Sequence, residues 1–172
     1  MSKLSTERLF LFDPYNEEHL NMLKDFEIRN DIIPKMSEQI EKLHSSVSKE
    51  TYLLEKKEKN EIEENLFLEK EAKIIDMCHL HVEKDIRLGH INMAPVKTKE
   101  RVRKLIPYVN NYAFNTLNVE EIFIETSQED KSLQSYLDSE GYESLGEQEG
   151  KIIYLKEKEE LRDVSSIVHS MK

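Results

Sequence analysis

Apolar positions change their spacing several times along the chain, and each change marks an element. Residues 4–12 carry the run LFLF, which predicts a buried first strand stopping at Asp13-Pro14. Over residues 17–28, Leu20, Leu23 and Phe26 recur at helical spacing. After Pro34 a second helix is expected over 37–52, with Ile40, Leu43 and Val47 on one face. The stretch EKKEKNEIEEN at 55–65 is the most charged and reads as a solvated turn flanking a strand. Residues 62–69 and 73–82 then predict an antiparallel pair joined at Glu71-Ala72, with 86–93 as a third strand.

A bend at Ala94-Pro95 leads into a long helix over 98–116, whose stripe is Val102, Leu105, Ile106, Val109, Ala113 and Leu117. Pro107 falls inside it, and a proline in a helix interior costs about 3 kcal/mol, so a kink or irregular first turns are expected. VEEIFIET at 119–126 alternates like a strand with one buried face. Asp130 is placed to cap a short helix bearing Leu133, Tyr136 and Leu137, which stops at Gly141. Residues 142–147 and 151–156 close as a pair across Gly150. The tail 157–171 sets Leu161, Val164, Ile167, Val168 and Met171 on one face, an amphipathic helix that packs either on its own domain or on another chain. The expected organisation is one domain over 1–156 with an appended C-terminal helix over 157–172.

Composition narrows what this domain does. A net charge of −10 on 172 residues argues against general nucleic-acid binding, which needs a basic face. A single cysteine forms no internal disulfide, and no apolar run approaches the roughly 20 residues of a membrane span, so a reduced cytoplasmic protein without membrane contact is expected. Cys78-His79-Leu80-His81 invites a metal reading. In a strand, however, Cys78 projects from one face and both histidines from the other, so the quartet cannot close a site, and no metal is expected.

A strand ending beside a helix N-terminus is a place for an anion. At that place Lys97, Lys99, Arg101, Arg103 and Lys104 put five cations within eight residues. Two readings stay open. Either these side chains bind phosphate, or they form an exposed basic face that pairs with the acidic surface.

The succession of strand, two helices, three strands, helix, strand, helix and two strands, with STERLFLF, YVNNYAFNTLNVEEIFIET and EDKSLQSYLDSEGYESLGE, resembles the GNAT acyltransferases over residues 4–156. The likeness is closest to the branch of the ribosomal-protein alanine acetyltransferases. It implies an α/β (α+β) fold with a mixed, mostly antiparallel central sheet and helices on both faces. It also implies acetyl-coenzyme A as co-substrate. The pantetheine arm would lie along a splayed strand at Ile91, Asn92 and Met93, the pyrophosphate at Lys97, Thr98, Lys99, Glu100 and Arg101, with Asp130 opening the last helix beside it. The family's phosphate loop, Arg/Gln-x-x-Gly-x-Gly/Ala, is degenerate here. Its glycine positions fall on Thr98 and Glu100, and its leading position on Pro95. The acidic residue many relatives carry near the start of the splayed strand falls on Arg87, a frequent Asn and Ser of the last helix on Asp130 and Leu133, and a thiolate-protonating tyrosine of some members on Leu137. Gly89 and Gly141-Tyr142 match the family as fold signals.

Acetyl transfer of this kind needs an amine, a route for its proton and donors for the carbonyl. His90 is the proton acceptor that residue type and position favour, with His79 and His81 in reserve; Tyr136 and Tyr142 are either donors or core. Two functions follow. One is an acetyl-coenzyme A-dependent N-acetyltransferase acting on a primary amine of a small molecule or protein N-terminus. The other is a catalytically silent binding or regulatory module of the same fold, working through a protein partner, with the C-terminal helix as a surface for that partner or for a second copy.

Overall fold

A computed structural model of the chain describes residues 6–94 and 104–159. The elements are β1 (Arg8–Leu11), α1 (Glu17–Arg29), α2 (Met36–Ser46), α3 (Lys49–Glu58), β2 (Glu61–Lys70), β3 (Lys73–Glu83), β4 (Leu88–Met93), α4 (Leu105–Asn111), β5 (Glu121–Ser127), α5 (Lys131–Ser139), β6 (Glu143–Gln148) and β7 (Lys151–Glu157). The strands form one sheet in the order β1-β2-β3-β4-β5-β7-β6. Every neighbouring pair is antiparallel except β4 and β5.

The strand alternation expected from the sequence sorts the core into two layers. On one face Leu66, Cys78, Leu80, Ile91, Ile122, Ile124 and Tyr154 pack under α4 and α5, which contribute Leu105, Ile106, Val109, Leu133 and Leu137. On the other, Phe67, Ile74 and Met77 pack under Leu20, Leu23 and Phe26 of α1 and Ile40 of α2. Helices thus cover both faces of a mixed, mostly antiparallel sheet, the architecture the resemblance implies. No helix among the described residues is long and apolar enough to cross a membrane.

Four local expectations change. The single helix over 37–52 is two helices, because Val47 is extended and Ser48 starts a new helix by accepting the Thr51 N–H at 3.2 Å. The Tyr15 hydroxyl holds the break open by donating to the Val47 carbonyl at 2.8 Å. The charged run 55–65 is not a turn: its first part ends α3 and its second part begins β2. The LFLF strand is an edge strand rather than a buried one, with Leu11 exposed and Phe12, just past its end, in the core. Pro107 is the third residue of α4, so the N–H it lacks has no intrahelical acceptor in any case, and the expected interior penalty does not arise. Helical structure continues from Asn111 as one π-helical turn, Tyr112–Thr116, closed by the Leu117 N–H on the Tyr112 carbonyl at 3.1 Å.

The remaining junctions follow local chemistry. Glu71 and Ala72 both take positive φ, the geometry of a tight hairpin between β2 and β3. Asp130 Oδ1 accepts the Leu133 N–H at 3.1 Å to start α5, and Gly141 ends it in the left-handed region at φ 86°. The predicted helix positions 98–103 and the tail helix beyond 159 lie outside the described residues.

Candidate active site

The site is built on β4. The Ala94 N–H donates to the Met77 carbonyl at 3.0 Å, so by strand alternation the backbone groups of His90 and Asn92 point to β3, and those of Gly89, Ile91 and Met93 point toward β5. Pairing between β4 and β5 stops at Ile91 with Ile124. β4 continues to Met93 along β3, while β5 continues to Ser127 along β7. The two parallel strands therefore part like a V. At its mouth the Met93 N–H and C=O have no strand partner among the described residues.

Side chains on the half-open face beside this V form two cross-strand rows. Glu63, His81, His90 and Phe123 are successive register partners on β2, β3, β4 and β5; Asn65, His79 and Asn92 form the next row. The His90 ring meets Phe123 edge-on with centroids 5.6 Å apart. Its Nε2 atom is buried and has no hydrogen-bond partner among the described residues. Burial pushes the His90 imidazole below its ordinary value; Glu125 opposes the shift and His81 adds to it. His79 is lowered in the same way by burial, opposed by Glu63 and reinforced by His81 and His90. Both rings are therefore biased toward the neutral form, the form that accepts a proton.

His81 is tied elsewhere. Its Nε2 lies 3.0 Å from Glu61 Oε2, and the ligand atoms of Glu61, Glu63 and His81 fall within 4.8 Å of one another on the surface. Cys78 is buried on the opposite face from the histidines, so the Cys-His-Leu-His quartet does not converge.

Other expected site residues are placed as follows. Ile91 sends its side chain into the core, and its backbone forms the last rung before the V; Asn92 exposes its side chain on the histidine face. Asp130 lies just beyond the end of β5, with its carboxylate engaged in capping α5. Arg87 is not on the strand: it has φ 52° in the preceding turn and pairs with Glu120 at 3.2 Å in solvent. Leu137 is fully buried. Tyr142 is core, its hydroxyl donating to Asn110 Oδ1 at 2.5 Å, and burial holds it and Tyr136 well above the ordinary tyrosine range. Lys104 pairs with Glu7 at 3.1 Å. Lys97, Thr98, Lys99, Glu100 and Arg101 lie outside the described residues.

Sequence reasoning missed a cleft that adjoins the histidine face. It holds about 290 Å³ and is lined on its helix side by Met36, Gln39, Ile40, Leu43, Tyr52 and Lys56, with Glu63, Glu64 and Asn65 on its strand side. The only sequence signal for it is the acidic alternation of EIEE at 61–64, which by itself reads as part of a solvated turn.

No family model matches the chain, and no curated protein matches it in sequence. Solved structures do match. A ribosomal-protein-S5-alanine acetyltransferase from Vibrio fischeri superposes with TM-score 0.67 at 15% identity, covering 92% of this chain and 98% of its own. A point mutant of the spermidine N-acetyltransferase from Vibrio cholerae gives 0.62 at 13% identity, over 88% of this chain and 93% of its own. The N-acetyltransferase PseH of Campylobacter jejuni, in complex with acetyl coenzyme A, gives 0.59 at 12%, over 90% of this chain and 100% of its own. Element order, parted parallel strands and superposition over nearly the whole chain agree that this protein has the fold of the GNAT N-acetyltransferases.

Proposed function

We propose that the protein is an acetyl-coenzyme A-dependent N-acetyltransferase acting on a primary amine. The observation that carries this reading is the V between β4 and β5, with His90 one residue before the strands part and its buried Nε2 unpartnered among the described residues. The Met93 backbone groups at the mouth of the V suit a pantetheine arm, which carries amides and can extend the β4 edge as a strand would. Acetyl-coenzyme A would supply the acetyl group as a thioester: the acceptor's C–N bond forms, the C–S bond breaks, and coenzyme A leaves as a thiolate that takes up a proton, so that one proton lost by nitrogen balances one gained by sulfur. His90 takes one proton from the acceptor nitrogen, and its neutral bias fits that task. Phe123 packs edge-on against the same ring and fixes its plane. Ile91, Asn92 and Met93, the cations Lys97, Lys99 and Arg101, Thr98 and Glu100 of the degenerate loop, and Asp130 are the residues assigned to the coenzyme.

The lone buried cysteine suits a reducing compartment, and we place the reaction in the cytoplasm. The expected helix cannot begin at Glu157, which ends β7, or at Lys158, whose N–H donates to the Glu120 carbonyl at 2.9 Å; segment 160–172 is assigned as the appended helix, to serve a partner or a second copy.

Isothermal calorimetry with acetyl-coenzyme A tests the reading. Binding is expected, weakened by neutralising Lys97, Lys99 and Arg101 together and less dependent on salt in that variant. No heat at millimolar coenzyme with folded protein sinks the enzyme and leaves the silent binding module.

A further inference from the structure

Ligand-bearing side chains from two strands converge on one corner of the sheet, away from the V. β1 pairs only with Leu66 to Glu69, so among the described residues the start of β2 is held by β3 alone. In that corner Glu61 is the register partner of Glu83, and Glu63 of His81, and strand alternation puts all four side chains on one face. His81 Nε2 lies 3.0 Å from Glu61 Oε2, and one ligand atom each from Glu61, Glu63 and His81 falls within 4.8 Å of the other two. A tetrahedral ion with bonds of about 2.1 Å sets its ligand atoms about 3.4 Å apart, a separation these side chains reach by rotation while the paired backbones stay in place.

The sheet itself argues for a cation there. Carboxylates directly opposite one another across strands repel, and Glu61 faces Glu83 with Glu63 on the diagonal. His81 offsets this only when protonated, and Lys56, which lines the neighbouring cleft, pairs with Glu64 at 4.0 Å. One imidazole nitrogen and two carboxylate oxygens suit zinc and its first-row neighbours, whereas calcium and magnesium take oxygen ligands. Three protein ligands leave a fourth position for water, and Glu61 is exposed enough to admit it. Of the quartet Cys78-His79-Leu80-His81, only His81 takes part, with partners from β2 that its own strand does not supply.

We propose that Glu61, Glu63 and His81 bind a divalent first-row transition metal, zinc by its donor set, which clips the start of β2 to β3. The site needs neither coenzyme nor acceptor, so it stands apart from the acetyl-transfer reading. The full chain, stripped with EDTA and dialysed, is titrated calorimetrically with zinc chloride at neutral pH. Cobalt(II) serves as a second probe, because its visible absorption reports the ligands around the ion.

One equivalent of zinc is expected to bind, and saturating zinc to raise the melting temperature of the parent. His81→Gln, and separately Glu61→Gln with Glu63→Gln, should each weaken binding on the order of a hundredfold and abolish the melting shift, with circular dichroism confirming that the variants are folded. His79→Gln, on the same face but outside the triad, should leave the affinity within about threefold of the parent. No binding at millimolar zinc, equal binding of calcium or magnesium, a zinc affinity that His81→Gln leaves intact, or a loss in His79→Gln as large as in His81→Gln would each overturn the assignment. Failure of acetyl-coenzyme A to bind would overturn the reaction alone and leave the metal measurement standing.

Discussion

Glu27 offers the sharpest test of how the wall of the cleft is held. It lies in the last turn of α1, is 1% exposed, and faces the start of α2, whose own N-cap residue, Lys35, supplies no side-chain acceptor. Glu27 does the capping from another helix. Its Oε2 accepts the Met36 N–H at 2.6 Å and the Ser37 N–H at 3.3 Å, and its Oε1 accepts the Ser37 hydroxyl. Truncation to alanine strands these donors, and Ser37 is as buried as Glu27. A hydrogen bond to a charged group contributes about 1.5–3 kcal/mol, and loss of a cap costs about 1 kcal/mol. The contributions overlap, and Met36 is open enough for water to replace one bond, so Glu27→Ala is expected to cost about 3 kcal/mol.

Glu27→Gln keeps one acceptor oxygen but turns an amide N–H₂ toward donors, for a smaller loss of about 1–2 kcal/mol. In a domain of this size each kcal/mol lowers the melting temperature by about 2–4 °C, so the alanine variant should melt about 6–12 °C below the parent. Urea unfolding followed by circular dichroism gives the free energies directly. Hydrogen exchange should show the α2 amides opening first, ahead of those of β3. A loss below about 1 kcal/mol for Glu27→Ala would refute the capping role and make α2 a helix held by Ile40 alone.

Other positions test other parts of the fold. Pro107→Ala should change stability by less than about 1 kcal/mol by urea unfolding, against the roughly 3 kcal/mol that an interior helix proline implies. His79 and His90 have folded-state values lowered from 6.5, so the unfolded chain binds more protons, and stability should fall as pH drops from above 6.5 through the folded values. The double variant His79→Gln, His90→Gln should lose that component, and an unchanged slope between neutral and mildly acidic pH would count against the burial of the rings. Cys78 is fully buried in the core, so a thiol reagent should label it only at the rate of global or subglobal opening; immediate labelling of native protein would contradict the packing.

Much of the fold was legible because period-two alternation in CHLH, GHIN and EIFIET places the same residues on the buried face in any sheet that uses them. Gly141 and Asp130 mark the ends of α5 by local backbone chemistry, which tertiary structure did not override. The helix over 37–52 misled because Ile40, Leu43 and Val47 keep helical spacing up to the break itself. The break depends on Tyr15, 32 positions away, bonding the Val47 carbonyl, and no local pattern encodes that. Pro107 misled for a related reason, since a proline is costly or harmless according to where the helix begins, and α4 begins at Leu105.

The site itself divides along the same line. His90 could be chosen from the sequence because strand type and the likeness to known acetyltransferases put it beside the coenzyme position. That Glu63 shares its row could not be read there, because it takes three strands in register. Between Glu63 and His90 the chain turns back twice, and only the pairing of Glu63 with His81, and of His81 with His90, makes them one row. An acidic residue in a charged run is ordinarily just a solvated side chain. Two further features change that reading: β1 stops short of Glu63, leaving the strand edge open, and α2 and α3 supply a mixed wall there, with Lys56 and Gln39 beside Met36, Ile40, Leu43 and Tyr52. The extra helix break at Val47 turns α3 back over this edge instead of extending α2 away from it. A bond between residues 32 positions apart thus shapes the cleft, and the packing of α3 over the edge of β2 should respond to changes at Tyr15 and Ser48.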